Sequence, residues 1–203
     1  FMGAHPAFTR NVGTISTSTT AATFNSTYTD QSVSIGNNTS HFFCDFTDGD
    51  NVDDYVTTGE DFWLRADTYY AGGSYNVNQL VLVNNSDQML LRLRVNSSTV
   101  TRLEYNSGTL ATPAWTQLGT DIVTASSTRY TWVLKLNIDA AGTAHAYELY
   151  KDGVLALSGT YSSAILTRVD AVKCGDTANT TFAISQVLAS VGISLVGSFV
   201  AAL

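Results

Sequence analysis

Three aspartates in a short glycine-containing stretch offer the first candidate chemistry. Asp48, Asp50 and Asp53 lie two or three positions apart around Gly49. Calcium takes hard oxygen ligands from flexible loops, and this spacing therefore predicts a calcium site. The stretch departs from the EF-hand pattern, because Val52 stands at the third ligand position and no glutamate closes the loop. A solvated acidic loop is the alternative interpretation.

A second candidate segment combines aromatic and polar residues at positions 69–76, with the sequence Tyr-Tyr-Ala-Gly-Gly-Ser-Tyr-Asn. Sugar recognition uses aromatic faces for stacking beside a few well-placed hydrogen-bonding groups. Tyr69, Tyr70, Tyr75 and Asn76 supply both on a glycine loop, and we predict them as glycan-binding residues. The alternative is that two of these tyrosines pack at the edge of the core.

The patterns that most hydrolases need are missing. The only glutamates are Glu60, Glu104 and Glu148, each 44 residues from the next. Glycoside hydrolysis needs two carboxylates about 5–10 Å apart. The three histidines accompany no G-x-S-x-G elbow, and neither a Walker A nor a G-x-G-x-x-G sequence occurs. The sequence therefore predicts no catalytic residues and no enzymatic activity, with a hydrolase built on separated aspartates as the alternative.

Charge and composition narrow the class of protein. The 203 residues include 10 Lys and Arg against 17 Asp and Glu, a formal net charge of −7. Phosphate contacts need clustered basic residues, so this balance argues against nucleic acid as a partner. With 44% hydrophobic and only 13% charged residues, the chain is too apolar for disorder and too poor in charge for a helical bundle. A β-rich globular protein remains.

Alternating apolar and polar residues supply the elements that must position these groups. From Tyr130 to Ile138, every second residue is apolar, which is the period of a half-buried strand. A second alternating run covers Asp61–Ala66. Asp152-Gly153 favours a type I′ hairpin, because both central residues of that turn take positive φ. Short runs separated by turns every 8–14 residues predict an antiparallel β-sandwich or barrel.

The two cysteines, Cys44 and Cys174, fall in an early and a late strand-like run. They could come within disulfide range if the first and last strands of a sandwich lie side by side. The alternative is two buried thiols that behave as small hydrophobic residues.

The order Tyr130–Leu136, a short glycine turn, and then Tyr147–Leu155 resembles the core of concanavalin A-like (laminin-G-like) jelly rolls. Asp61–Ala66 resembles an earlier strand of that family and Val169–Leu188 its closing strands. The resemblance implies an all-β, antiparallel two-sheet jelly-roll sandwich over residues 31–190. Many relatives of this fold hold calcium near a sugar site. The family's hydrolases carry E-x-D-x-x-E or E-x-D-x-E on one strand, and this sequence has neither.

The two ends have different compositions from the body. Residues 1–30 are dominated by Thr, Ser and Ala, which predicts an extended N-terminal arm or a lone outer strand. Residues 191–203 are mostly apolar and predict a C-terminal arm, while a membrane helix or an amphipathic helix over 183–203 are weaker alternatives. An apolar arm needs a partner to cover it. We predict docking on neighbouring subunits through Ile193, Leu195, Val196, Phe199 and Val200.

Residues 181–190 and 195–200 also resemble the ends of such domains in tailed-phage virion proteins. The sequence therefore predicts a non-enzymatic virion protein: a capsid decoration, fibre or tail component that forms homo-oligomers or binds other virion subunits, with glycan adhesion as an added role. The alternative is a calcium-assisted carbohydrate-binding module of a secreted or surface protein. Calcium is the one cofactor considered, and neither nucleic acid nor membrane is expected as a partner.

Overall fold

The computed structural model describes residues 10–12, 15–18, 32–35, 41–45, 56–70, 72, 75–175, 182–192 and 194–196. Within these ranges the secondary structure is all β, with fourteen strands in two antiparallel seven-stranded sheets. The prediction of an all-β, two-sheet antiparallel sandwich is confirmed.

Sheet A contains, in spatial order, β1 (Arg10–Val12), β4 (His41–Asp45), β13 (Ala171–Cys174), β6 (Val77–Val83), β7 (Met89–Ser97), β8 (Val100–Asn106) and β9 (Trp115–Val123). Sheet B contains β12 (Val154–Tyr161), β11 (His145–Lys151), β10 (Thr128–Asn137), β5 (Asp61–Tyr70), β14 (Phe182–Val191), β3 (Ser32–Ile35) and β2 (Ile15–Ser18). The order mixes strands distant in sequence, so each sheet needs several crossovers.

The core lies between the two sheets, where each contributes one side of its alternating strands. On β10, Trp132, Leu134 and Leu136 point inward, as the sequence period predicts. β5 pairs with β10 without a register shift, from Thr128 opposite Tyr70 to Asn137 opposite Asp61. The Trp132 indole N–H donates to the Thr68 hydroxyl at 3.0 Å, which satisfies a polar group inside the core.

The hairpin between β11 and β12 forms at the predicted dipeptide. Asp152 has φ of 52° and Gly153 has φ of 79°. Positive φ at both central residues is the requirement of the type I′ turn, and the twist of that turn matches the twist of the strands.

The predicted N-terminal arm is partly incorporated into the sandwich. β1 pairs with β4 and is the outermost strand of sheet A, while β2 pairs with β3 and is the outermost strand of sheet B. Arg10–Val12 and Ile15–Ser18 are therefore two short edge strands, one in each sheet, rather than one lone outer strand. β-branched residues such as Val12 and Ile15 suit strands, which accounts for this outcome.

The C-terminal docking prediction needs a correction at Leu195 and Val196. The Leu195 side chain is 6% exposed and packs with Trp63 and Val133 on the outer side of sheet B, and Val196 packs against the same group. Leu195 is thus covered by its own domain rather than by a neighbouring subunit. Ile193, Phe199 and Val200 lie outside the described residues.

The first part of the 183–203 stretch is a strand, β14, and not the membrane or amphipathic helix of the two alternatives. The described part of the chain contains no helix long and apolar enough to cross a membrane.

The two cysteine-bearing strands are neighbours, as the sequence suggested they could be. β13 pairs with β4 so that Cys44 lies opposite Val172 and Cys174 lies opposite Phe42. Cys174 is buried.

Candidate functional site

The outer face of sheet A carries a group of charged residues beside a partly exposed tryptophan. On β7, Leu91, Leu93 and Val95 enter the core, so the intervening Arg92 and Arg94 point to the opposite side. Three further residues adjoin these two arginines. We call the five together the arginine–tryptophan cluster: Asn76, Arg92, Arg94, Glu104 and Trp115.

Glu104 holds the two arginines of the cluster together. The β7–β8 register places Arg92 directly opposite Glu104. Arg92 Nε and Nη2 lie 2.7 and 2.6 Å from Glu104 Oε2, whereas Arg94 Nη1 lies 3.4 Å from both carboxylate oxygens. The Glu104 side chain is only 7% exposed. These charge-assisted bonds fix the guanidinium planes at the surface of the sheet.

Trp115 lies beside Arg92 at the start of β9. The Arg92 guanidinium carbon is 3.9 Å from the centre of the Trp115 ring system, within cation–π distance. Trp115 is partly exposed, so part of its aromatic surface stays accessible. The contact with Arg92 therefore holds Trp115, and with it the end of the 107–114 loop, against sheet A.

Asn106 positions the loop that leads to Trp115. Its Oδ1 accepts hydrogen bonds from the Gly108 and Ala114 amides at 2.9 and 3.1 Å. Its Nδ2 donates to the Met89 carbonyl at 3.1 Å. The side chain is fully buried, and it closes the 107–114 loop so that β9 begins at Trp115.

Two of the four predicted glycan-binding residues lie at the other end of the cluster. Arg94 donates through Nη2 to Asn76 Oδ1. Asn76 has φ of 74°, a left-handed conformation that asparagine tolerates better than most residues. The neighbouring Tyr75 is 47% exposed. Asn76 and Tyr75 therefore adjoin the charged residues of sheet A.

The other two predicted glycan-binding residues lie elsewhere. Tyr70 is 4% exposed and belongs to the core, so its prediction as a glycan-binding residue is wrong. Burial raises the pKa of Tyr70, and the nearby Tyr75 phenol raises it further. Tyr69 alternates to the outer side of sheet B, where the Arg129 guanidinium carbon lies 5.8 Å from its ring centre.

The outer face of sheet B has a second tryptophan, Trp63. Lys135 Nζ lies 5.4 Å from its ring centre, and the Tyr150 ring stacks at 6.5 Å. Trp63 is only 7% exposed, because Val133 and Leu195 pack against it. This tryptophan has little surface left for a ligand.

Acidic groups flank Trp63 but are engaged by neighbours. Asp61 accepts from Lys135 Nζ at 3.0 Å and from Asn137 Nδ2 at 3.1 Å. Burial raises the pKa of Asp61, but these two partners outweigh it and the net pKa is lowered. Tyr150 donates to Glu148, and this hydrogen bond together with burial raises the pKa of the Tyr150 phenol. A raised pKa leaves less of the Tyr150 phenol ionised near neutral pH, so less of it is available to act as a general base.

The remaining candidate groups do not form a reactive centre in the described residues. His145 is fully buried, its Nδ1 accepts from the Asp139 amide at 3.0 Å, and its Nε2 lies 2.8 Å from the Ser163 carbonyl. Both ring nitrogens are thus occupied by backbone. The described ranges contain no group of three His, Cys, Asp or Glu residues able to hold a metal ion. Asp48, Asp50 and Asp53 lie outside these ranges.

A shallow groove of about 270 Å³, lined by both apolar and charged side chains, runs where the edge strands β9 and β12 meet. Its walls are formed by Asp121, Ile122, Val123, Lys151, Val154, Leu155 and Ala156. Val123, Val154 and Leu155 are exposed. No charged residue or proline occurs in β12.

No protein-family model matches the chain, and no curated protein matches it. Solved structures do share its fold. An alginate lyase from Corynebacterium sp. superposes with a TM-score of 0.54 at 11% identity, covering 79% of this chain and 77% of that one. A Trypanosoma rangeli sialidase in complex with the inhibitor DANA gives 0.52 at 14% identity, covering 79% and 25%.

The binding domain of botulinum neurotoxin DC, in complex with SialylT, also gives a TM-score of 0.52, at 9% identity, covering 89% of this chain and 41% of that one. The chain thus matches less than half of the toxin chain and about a quarter of the sialidase. At these identities the likeness shows the fold alone, and it supports the jelly-roll prediction.

These neighbours correct the prediction that the chain is not an enzyme. That prediction rested on missing hydrolase patterns, yet the same sandwich occurs over most of an alginate lyase and within a sialidase. The missing patterns therefore do not exclude catalysis. The virion, capsid and phage predictions receive no support from these neighbours.

Proposed function

We propose that this chain is a carbohydrate-binding β-sandwich module whose ligand lies on the arginine–tryptophan cluster. Two of the structural neighbours are described in complex with SialylT and with the inhibitor DANA. The observation that carries the proposal is the partly exposed Trp115, with the Arg92 guanidinium 3.9 Å from its ring centre.

The cluster supplies the two kinds of contact that a sugar needs. The exposed part of Trp115 offers an apolar surface to the C–H face of a pyranose ring. Arg94 and Asn76 offer hydrogen-bonding groups farther along the same face. Glu104 already fixes Arg92, and Asn76 and Glu104 together hold Arg94, so little side-chain entropy is lost when a ligand binds.

The test measures binding to a panel of neutral and acidic polysaccharides by affinity electrophoresis. Trp115→Ala is expected to weaken binding at least tenfold, because stacking supplies much of the contact. Tyr69→Ala is the matched control, since it removes a partly exposed aromatic residue from the outer face of sheet B. It should bind as the wild type does.

Two results would contradict the proposal: a wild-type protein that binds nothing in the panel, or a Trp115→Ala variant that binds unchanged. The same panel is assayed for new reducing ends and for unsaturated sugar products, because the fold occurs in a lyase.

Calcium assistance by Asp48, Asp50 and Asp53 stays a prediction from the sequence. Repeating the panel with EDTA and then with added calcium tests it. We expect binding to fall in EDTA and to recover with calcium, whereas equal binding in both conditions would contradict the calcium site and leave the sugar site standing.

A further inference from the structure

We propose that the arginine–tryptophan cluster selects glycans that carry carboxylates, as uronic and sialic acids do. This inference rests on the proposed carbohydrate function and names its ligand class. It starts from the distribution of charge. Of the ten basic residues in a chain of net charge −7, three arginines lie on strands β7 and β8 of this one face: Arg92, Arg94 and Arg102.

Among the described residues of β7, β8 and β9, the acidic side chains leave one positive charge uncompensated. Arg102 is neutralised by Asp121, with Nε and Nη2 at 2.6 and 3.1 Å from its two carboxylate oxygens. Glu104 carries a single negative charge between Arg92 and Arg94. The cluster itself therefore has a net charge of +1 when all three groups are ionised.

The surplus charge lies at Arg94. Glu104 is bonded closely to Arg92, at 2.6 and 2.7 Å, and only loosely to Arg94, at 3.4 Å. The Arg94 bonds to Glu104 and Asn76 use Nη1 and Nη2, and within the described part of the chain its Nε–H makes no hydrogen bond. Its side chain is 19% exposed, enough for a small anion to approach.

A carboxylate fits this group better than a neutral hydroxyl does. The planar guanidinium binds a carboxylate with charge-assisted hydrogen bonds, which are about twice as strong as neutral ones. The partial burial of Arg94 also reduces screening by salt and water. In a protein that repels anions overall, a partly buried and oriented positive group is the feature that an acidic ligand requires.

The test compares ligands that differ only in charge: polygalacturonate against its fully methyl-esterified form, and sialyllactose against lactose. The acidic member of each pair is expected to bind the wild-type protein at least tenfold more tightly at 50 mM NaCl. Raising NaCl to 500 mM should reduce that preference only in part, because the partly buried Arg94 is screened less than an exposed charge.

Variants locate the preference on Arg94. Arg94→Gln is expected to weaken binding of the acidic ligands about tenfold, while Arg94→Lys should retain part of it because the charge remains. The control is Arg129→Gln, which removes an arginine from sheet B and should bind as the wild type does. Thermal unfolding of each variant shows whether it is folded.

The outcomes separate the two proposals. If no glycan binds, the carbohydrate function itself is overturned. If the neutral and acidic members bind equally, the function stands and the inference fails. If dextran sulfate binds as tightly as polygalacturonate, selection for carboxylates is overturned. If folded Arg94→Gln keeps the full acidic preference, Arg94 is not its source.

Discussion

The two outer faces of the sandwich each present a tryptophan beside a cation, yet only one of them remains accessible. Arg92 lies 3.9 Å from the Trp115 ring centre on sheet A, and Lys135 lies 5.4 Å from the Trp63 ring centre on sheet B. Trp63 is buried under Leu195, whereas Trp115 is partly exposed. The same residue types therefore serve packing on one face and leave a surface for binding on the other.

The two faces differ in the chain segment that lies next to the tryptophan. On sheet B, residues 194–196 return over Trp63 after β14, and Leu195 joins its cluster. On sheet A, Asn106 ties down the 107–114 loop so that it ends at Trp115 and does not bury it. The exposure of an aromatic residue is thus decided by its neighbours in space rather than by its own strand.

The largest expected effect is a difference in unfolding free energy between alanine variants of the two tryptophans. Trp63→Ala should lower the free energy of unfolding by about 3–5 kcal/mol, because it leaves a cavity in a packed cluster. Trp115→Ala should lower it by about 1 kcal/mol or less, since a partly exposed cation–π contact contributes about that much. Urea unfolding measures both, and equal losses would remove the distinction.

Glu104→Gln should come next, at about 2–3 kcal/mol. The substitution leaves two largely buried arginines without their counter-charge. Asp121→Asn is the control, because its ion pair with Arg102 is much more exposed and its loss should be far smaller. If both variants unfold at the same urea concentration, the cluster is not held by Glu104.

Leu195→Ala tests whether the segment over Trp63 is docked. Loss of this buried side chain should destabilise the protein by about 2 kcal/mol. Val154→Ala, at an exposed position, should change stability by about 0.5 kcal/mol or less. An unchanged Leu195→Ala variant would mean that these residues lie free of the sheet, as the sequence analysis expected.

The smallest expected effect is the pH dependence at Asp61. Its pKa in the folded protein lies below the ordinary 3.8, so its ion pair with Lys135 stabilises the fold above that pH. The contribution is lost as the pH falls through the folded pKa. Asp61 is well exposed, so the difference from Asp61→Asn should be about 0.5 kcal/mol or less. Urea unfolding from pH 6 to pH 3 measures it, and a difference that grows on acidification would contradict the pairing.

The sequence predicted regular strands well, because side-chain period and turn chemistry are local. Trp132, Leu134 and Leu136 point inward as their alternation requires, and Asp152-Gly153 forms its hairpin. Tyr70 was misplaced although a signal existed. It has the same parity as Phe62, Leu64 and Ala66, and extending β5 by four residues assigns it to the core.

The candidate site depends on pairing between strands, which the sequence showed only in part. Arg92 and Arg94 alternate with inward residues, so their outward direction could be predicted from the sequence. Their contact with Glu104 follows from the β7–β8 register. The position of Trp115 could not be predicted, because it depends on Asn106 and an irregular loop rather than on a repeating pattern.

The uncharged strand β12 has a consequence for how the protein behaves at high concentration. In the described part of the chain it pairs only with β11, and edge strands without lysine or proline are poorly protected against pairing with another molecule. Repulsion between molecules of net charge −7 then has to keep the edges apart. Because the Debye length shrinks to about 8 Å at 0.15 M salt, colloidal stability should decline as ionic strength rises.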